Sequence, residues 1–105
     1  MKYISSITPI PIITPTPTSN PGGSSLIVGD WNWYDGNVNR FNSNGTGNTI
    51  QGGSYTSTWV YNGNNKFTIT WQPGNYIDNV TISPDGNTLS GTNQSGGTIT
   101  ATKKS

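Results

Sequence analysis

The side-chain carboxyl groups of this sequence are limited to four aspartates, and it contains no histidine, glutamate or cysteine. General acid–base catalysis normally uses histidine or a carboxyl group whose pKa is tuned. Asp35 and Asp85 precede glycines, and hydrogen bonding within turns accounts for both of them. A serine or threonine nucleophile has no histidine to activate it, and no motif marks a Ser–Lys pair. We therefore predict a protein that is not an enzyme and that uses no cofactor.

Asp78 is the aspartate whose position is unusual. The run 76–83 alternates apolar and polar residues. Strict alternation puts Asp78 on the face of Tyr76 and Val80, where a buried carboxylate would need a partner. Arg40 is the only arginine. In one interpretation, Asp78 and Arg40 contact a ligand at the mouth of a curled sheet. In the other, which we favour, a strand end or a bulge turns Asp78 to solvent.

Tryptophan side chains are the second group that could bind a ligand. Trp31 and Trp33 lie one residue apart in a chain with only 29% hydrophobic residues. Such rings either fill the core of a small β-fold or form a platform for a flat ligand such as a sugar ring. A domain of about 80 residues buries a modest fraction of its surface, so we expect Trp31, Trp59 and Trp71 in the core. Trp33 and Tyr34 lie next to the first turn and fit either role.

No metal site is expected, although residues 42–48, NSNGTGN, have the outline of a calcium loop. Calcium loops need several carboxylates, and this segment has none, so we interpret it as a hairpin turn. Three Asn-x-Ser/Thr sequences begin at Asn44, Asn79 and Asn93. They would accept N-linked glycans in a secreted glycoprotein, but a chain so rich in asparagine also produces such sequences by chance.

Short runs that alternate apolar and polar residues predict β-strands from residue 26 onward. Glycine-containing turn sequences separate the runs, and Asn-Gly and Asp-Gly suit tight hairpins. No stretch has helical periodicity. An even number of strands joined by tight turns predicts an all-β, antiparallel up-and-down meander barrel, whose closure removes both sheet edges. The eight predicted strands are 26–34, 37–42, 47–51, 54–61, 66–72, 76–83, 88–94 and 97–103.

The N-terminal part of the chain, residues 1–25, is predicted to be an extended Pro/Thr-rich arm or stalk in front of a barrel domain at 26–105. Alternating Thr-Pro favours a stiff polyproline II backbone, and residues 22–25, GGSS, suggest a flexible joint. Prolines interrupt the apolar stretch at the N-terminus, so it does not resemble a signal peptide. No run approaches the roughly 20 apolar residues of a membrane helix, so we expect no membrane insertion.

Composition limits the partners and suggests a location. Charged residues make up 9% of the chain and the net charge is +1, which is too weak a field to attract nucleic acid or anionic lipid. Neutral polar β-sequences rich in threonine and asparagine are typical of proteins outside cells. We therefore predict an extracellular or cell-surface protein.

The sequence Gly29-Asp30-Trp31 at the head of the first strand resembles the Gly-x-Trp signature of lipocalins and related calycin barrels. The wider pattern over about 29–102 resembles small lipocalin-like domains of secreted bacterial and archaeal proteins of unknown function. The resemblance implies an eight-stranded meander barrel in which Trp31 closes one end. It also implies that a basic residue near the end of the last strand, here Lys103, stacks on that tryptophan.

Two functions are compatible with these features. The first is a non-catalytic domain for recognition or adhesion, whose partner would be a glycan or another surface protein. The alternative is a structural subunit of an extracellular filament or surface layer, which would self-associate by packing its N-terminal arm on a neighbouring subunit. The side chains that would be buried in such an assembly are Ile7, Ile10, Ile12 and Ile13.

Overall fold

The computed structural model describes residues 21–105, which form one short helix and eight strands. The helix α1 spans Pro21–Ser25. The strands are β1 Gly29–Trp33, β2 Val38–Phe41, β3 Thr46–Gln51, β4 Thr56–Gly63, β5 Lys66–Gln72, β6 Tyr76–Ile82, β7 Thr88–Asn93 and β8 Thr98–Lys103. The predicted assembly residues Ile7, Ile10, Ile12 and Ile13 lie outside the described residues, so the role of the arm stays a prediction.

The eight strands form a closed antiparallel barrel in which each strand pairs with its neighbours in chain order. Pairing of β1 with β8 completes the closure and sets Trp31 opposite Lys103 and Trp33 opposite Ala101. The prediction of an eight-stranded up-and-down meander is therefore confirmed. Closure gives each of the eight described strands a neighbour on both sides, which removes the two edge strands of an open sheet.

The barrel interior is filled by the inward face of each strand, as the two-residue period predicts. The side chains with the least exposure are Trp31, Phe41, Phe67, Ile27, Ile69, Ile82 and Leu89. Trp71 is also buried, at 8% exposure, so the core assignment is confirmed for Trp31 and Trp71. Trp59 is only partly buried and packs against the edge of this cluster.

One end of the barrel, which we call the closed end, is covered by the segment Leu26–Val28. Trp31 Nε1 donates a hydrogen bond to the Ile27 carbonyl (2.9 Å). Lys103 Nζ donates to the Leu26 carbonyl (3.3 Å) and lies 4.8 Å from the centre of the Trp31 ring, a cation–π distance. The contact between Lys103 and Trp31 that the resemblance implied is thus present.

The first strand starts three residues later than predicted, at Gly29 rather than at residue 26. Gly29 has a φ of +125°, a backbone conformation that side chains rarely allow. A Cβ atom there would lie 2.5 Å from the Ser105 carbonyl oxygen. The glycine therefore lets the chain turn sharply, so that residues 26–28 cross the barrel end instead of extending β1.

Residues 22–25, where the sequence suggests a flexible joint, belong instead to the short helix α1. The five residues of α1 make less than one and a half turns, too few for a hydrophobic period to appear. Within residues 21–105 no helix is long and apolar enough to cross a membrane.

We expect truncation of Trp31, the tryptophan at the closed end, to destabilise the fold severely. Trp31→Ala removes a fully buried side chain and should reduce the free energy of unfolding by about 3–5 kcal/mol. Val60 is 57% exposed, so the control Val60→Ala should change it by less than about 0.5 kcal/mol. Urea unfolding of both variants measures the difference. Equal effects of the two substitutions would contradict the core assignment.

Candidate functional site

The opposite end of the barrel, the open end, contains a pocket of about 270 Å³. It is surrounded by the turns that follow β1, β3, β5 and β7. We call it the mouth pocket. Its lining residues are Trp33, Tyr34, Asp35, Asn37, Asn39, Thr49, Tyr55, Trp71, Tyr76, Asp78, Asn93, Gln94, Ser95 and Ile99. Concave sites that combine aromatic side chains with polar groups are where small ligands usually bind.

The floor of the mouth pocket carries three buried polar side chains. Asn39, Thr49 and Asp78 are 2%, 7% and 5% exposed. Thr49 Oγ1 donates a hydrogen bond to Asn39 Oδ1 (2.6 Å). Trp71 Nε1 donates to Asp78 Oδ2 (2.9 Å). Among the described residues these bonds leave the Asn39 amide nitrogen and Asp78 Oδ1 without a protein partner, although both residues line the pocket.

Aromatic rings form the walls and the rim of the pocket. The Trp33 and Trp71 rings meet edge to face, with centroids 5.8 Å apart and planes at 76°. Phe41 lies beneath both rings, with centroid distances of 5.9 and 6.0 Å, and so holds them in place from the core. Three tyrosines surround the entrance with 40–55% of their surface exposed, namely Tyr34, Tyr55 and Tyr76.

The surroundings of the Asp78 carboxyl group disfavour its charged form. Burial raises its pKa above the usual value for aspartate, because removal from water disfavours the charged form. The hydrogen bond from Trp71 opposes this shift, and the negative charge of Asp35 adds to it. No lysine or arginine of the described chain lines the pocket, so Asp78 has no cationic partner.

The favoured expectation that Asp78 faces solvent is wrong. The strand β6 pairs with β5 and β7 without a bulge, so the two-residue alternation continues and turns Asp78 inward. Tyr76 lies on the same face but beyond the core, at the rim. The structure therefore brings together three of the predicted ligand residues, Trp33, Tyr34 and Asp78.

Arg40, the fourth predicted ligand residue, does not belong to the pocket. Its Nε and Nη2 atoms donate to Asp30 Oδ1 and Oδ2, at 2.8 and 3.0 Å, across the β1–β2 pair. The side chain of Arg40 is half exposed. The Arg40 side chain alternates with the inward-facing Phe41 and so points away from the barrel interior. The pair holds the pKa of Asp30 below its usual value, mainly through the hydrogen bonds from Arg40.

Sequence reasoning missed Asn39 and Thr49 as pocket residues. Phe41 is inward-facing, so alternation along β2 would have placed Asn39 inward as well. The register of β2 against β3 shifts between Val38 and Asn39. The pairing is regular from Asn39 to Phe41, so Asn39 lies opposite Thr49 and the two side chains share a hydrogen bond.

The three glycosylation candidates occupy different parts of the barrel. Asn44 lies in the β2–β3 turn at the closed end, and Asn79 is exposed on β6. Asn93 lines the mouth pocket, and its Oδ1 accepts hydrogen bonds from the Ser95 and Gly97 amides of the β7–β8 turn. Glycosylation at any of the three stays a prediction. Residues 21–105 contain no group of three or more potential metal ligands among His, Cys, Asp and Glu.

No family model, no curated protein and no solved structure matches the chain. The lipocalin-like resemblance therefore stays a prediction from the sequence. The function has to be argued from the site itself.

The raised pKa of Asp78 predicts that its charge destabilises the fold. Between the pKa of Asp78 in the unfolded chain and the higher pKa in the folded protein, only the folded protein keeps the proton. Stability therefore falls as pH rises through that window. Asp78→Asn removes the charge, and its amide oxygen can still accept the bond from Trp71 Nε1. We expect Asp78→Asn to melt at least about 4 °C above the parent protein at pH 7.

Thermal melting followed across pH tests this expectation. The gain should disappear below the ordinary pKa of aspartate, where the parent carboxyl group is neutral as well. A variant that melts at or below the parent at pH 7 would mean instead that the carboxylate stabilises the barrel.

Proposed function

We propose that this chain is a non-catalytic binding domain of an extracellular or cell-surface protein, and that its mouth pocket takes one sugar ring of a glycan. The observation that carries the proposal is the pocket floor. There, the Asn39 amide nitrogen and Asp78 Oδ1 lack protein partners among the described residues and lie beside two indole rings. Both residues line the pocket, so a ligand with hydroxyl groups can supply the hydrogen bonds that the protein leaves open at these two atoms.

A sugar ring matches both kinds of surface in the pocket. Its hydroxyl groups donate to a carboxylate and accept from an amide N–H, so one pair of neighbouring hydroxyls serves Asp78 and Asn39 together. Its C–H faces are apolar and pack on the electron-rich faces of aromatic rings. Trp33, Trp71 and the rim tyrosines supply those rings. Their rigid side chains lose little conformational entropy when a ligand binds.

The size of the pocket favours a single residue over a longer chain. At about 270 Å³ it falls at the lower end of the range for small-molecule sites. The tyrosines of the rim are exposed, so further residues of a glycan would extend past them into solvent. A binding mode of this kind is suited to adhesion, because the rest of a surface glycan stays outside the protein.

The proposal predicts that neutral monosaccharides change the fluorescence of the pocket tryptophans and that the rim contributes to affinity. The double variant Tyr55→Ala/Tyr76→Ala removes two exposed rings and should weaken binding at least about tenfold, while the melting temperature stays close to that of the parent. Val60→Ala removes an exposed apolar side chain from the outer surface and should leave affinity unchanged.

Fluorescence titration with a panel of hexoses and pentoses measures these affinities. If no sugar of the panel binds the parent protein, the proposed function is wrong. If sugars bind but the double variant binds them as well as the parent does, the sugar site lies outside the mouth pocket.

A further inference from the structure

The charges of the described chain are distributed unevenly between the two ends of the barrel. Two of the four aspartates, Asp35 and Asp78, line the mouth pocket, and none of the described lysines or arginines does. Lys103 lies at the closed end, over Trp31. The pocket is therefore a negative site in a chain whose net charge is +1, and it favours a cationic ligand over an anionic one.

The aromatic rings around the two carboxylates favour an organic cation. The faces of indole and phenol rings attract cations through their quadrupole, and tryptophan does so most strongly. Hard metal ions are usually held by several carboxylates, whereas the described residues of this pocket supply two carboxylates and five aromatic rings. An ammonium group attached to an apolar or ring-shaped body can contact a carboxylate and several rings at once.

The Asp78 carboxylate is placed to receive such a group. It is 5% exposed, it lines the pocket, and Trp71 Nε1 is its only hydrogen-bond donor among the described residues. Arg40, the one arginine, is held by Asp30 elsewhere. A ligand ammonium would therefore supply the cationic partner that the protein itself does not provide.

We propose that the mouth pocket is selective for amino sugars with a free, protonated amine, whose ammonium group pairs with Asp78 between Trp33 and Trp71. This inference rests on the proposed function, since it names the class of sugar that the same site takes. The hydroxyl groups of the ring remain available to Asn39. An acetylated amine has no charge, so it cannot form this ion pair with Asp78.

The test compares glucose, glucosamine and N-acetylglucosamine on the full chain at about pH 6, where a sugar amine is protonated. Tryptophan fluorescence and calorimetry report binding. We expect glucosamine to bind at least about tenfold more tightly than the two neutral sugars. Asp78→Asn should abolish this preference, so that the variant binds glucosamine no more tightly than it binds glucose.

The matched control is Asp85→Asn, which removes the same charge from the β6–β7 turn at the closed end. Asp85 accepts hydrogen bonds from Ser83 Oγ and the Asn87 amide, and asparagine can accept them too. This variant should keep the full preference for glucosamine. A thermal melt of each variant confirms that both are folded.

The outcomes separate the two proposals. Equal binding of glucose and glucosamine overturns the amine selectivity and leaves the sugar site standing. A preference that survives in Asp78→Asn, or that disappears equally in Asp85→Asn, also overturns it, because the selectivity would then not depend on Asp78. Binding of no sugar at all overturns the proposed function together with this inference.

Discussion

A shortage of apolar side chains in a closed eight-stranded barrel is the constraint on which the rest of this structure depends. An interior of this size is just wide enough for side chains to fill it, yet only 29% of the chain is hydrophobic. Apolar side chains fill the closed end and the middle of the barrel, around Ile27 and Trp31. At the open end the inward positions are shared by Trp33 and Trp71 with the polar residues Asn39, Thr49 and Asp78. The mouth pocket is the part of the interior that this sequence leaves unfilled.

The buried polar side chains of the pocket floor make the fold less stable than apolar side chains at the same positions would. A buried carboxylate without a cation lowers stability, and a hydrophobic side chain at the same position would pack beside Ile69, its neighbour on β5, instead. Groups that weaken the fold and face a cavity are typical of binding sites, where stability is given up for function. The hydrogen bond from Trp71 to Asp78 fixes the carboxylate between rings that are themselves held by Phe41. The site is thus preorganised by the core beneath it.

The sequence was sufficient for the fold because strand period and turn residues are local signals. They placed eight strands, the closure and the burial of Trp31 and Trp71. The turn at Gly29 was missed because it depends on the distant Ser105 carbonyl. For Asp78, the alternation of inward and outward residues along β6 predicted the correct orientation. The general rule that carboxylates face solvent led to the wrong one. Asn39 was missed because its partner Thr49 lies on another strand, and the sequence alone does not show which residues of β2 and β3 lie opposite each other.

The central claim is that Asp78 is a charged ligand group inside the mouth pocket. Carbon-13 NMR of aspartate side-chain carboxyls, with Asp78 assigned, measures its pKa directly with and without glucosamine. The account predicts a pKa above the usual aspartate value in the free protein, for the reason that burial disfavours the charge, and a lower pKa when the ammonium ligand is bound. An ordinary pKa in the free protein, or a raised one that glucosamine leaves unchanged at saturation, would contradict it.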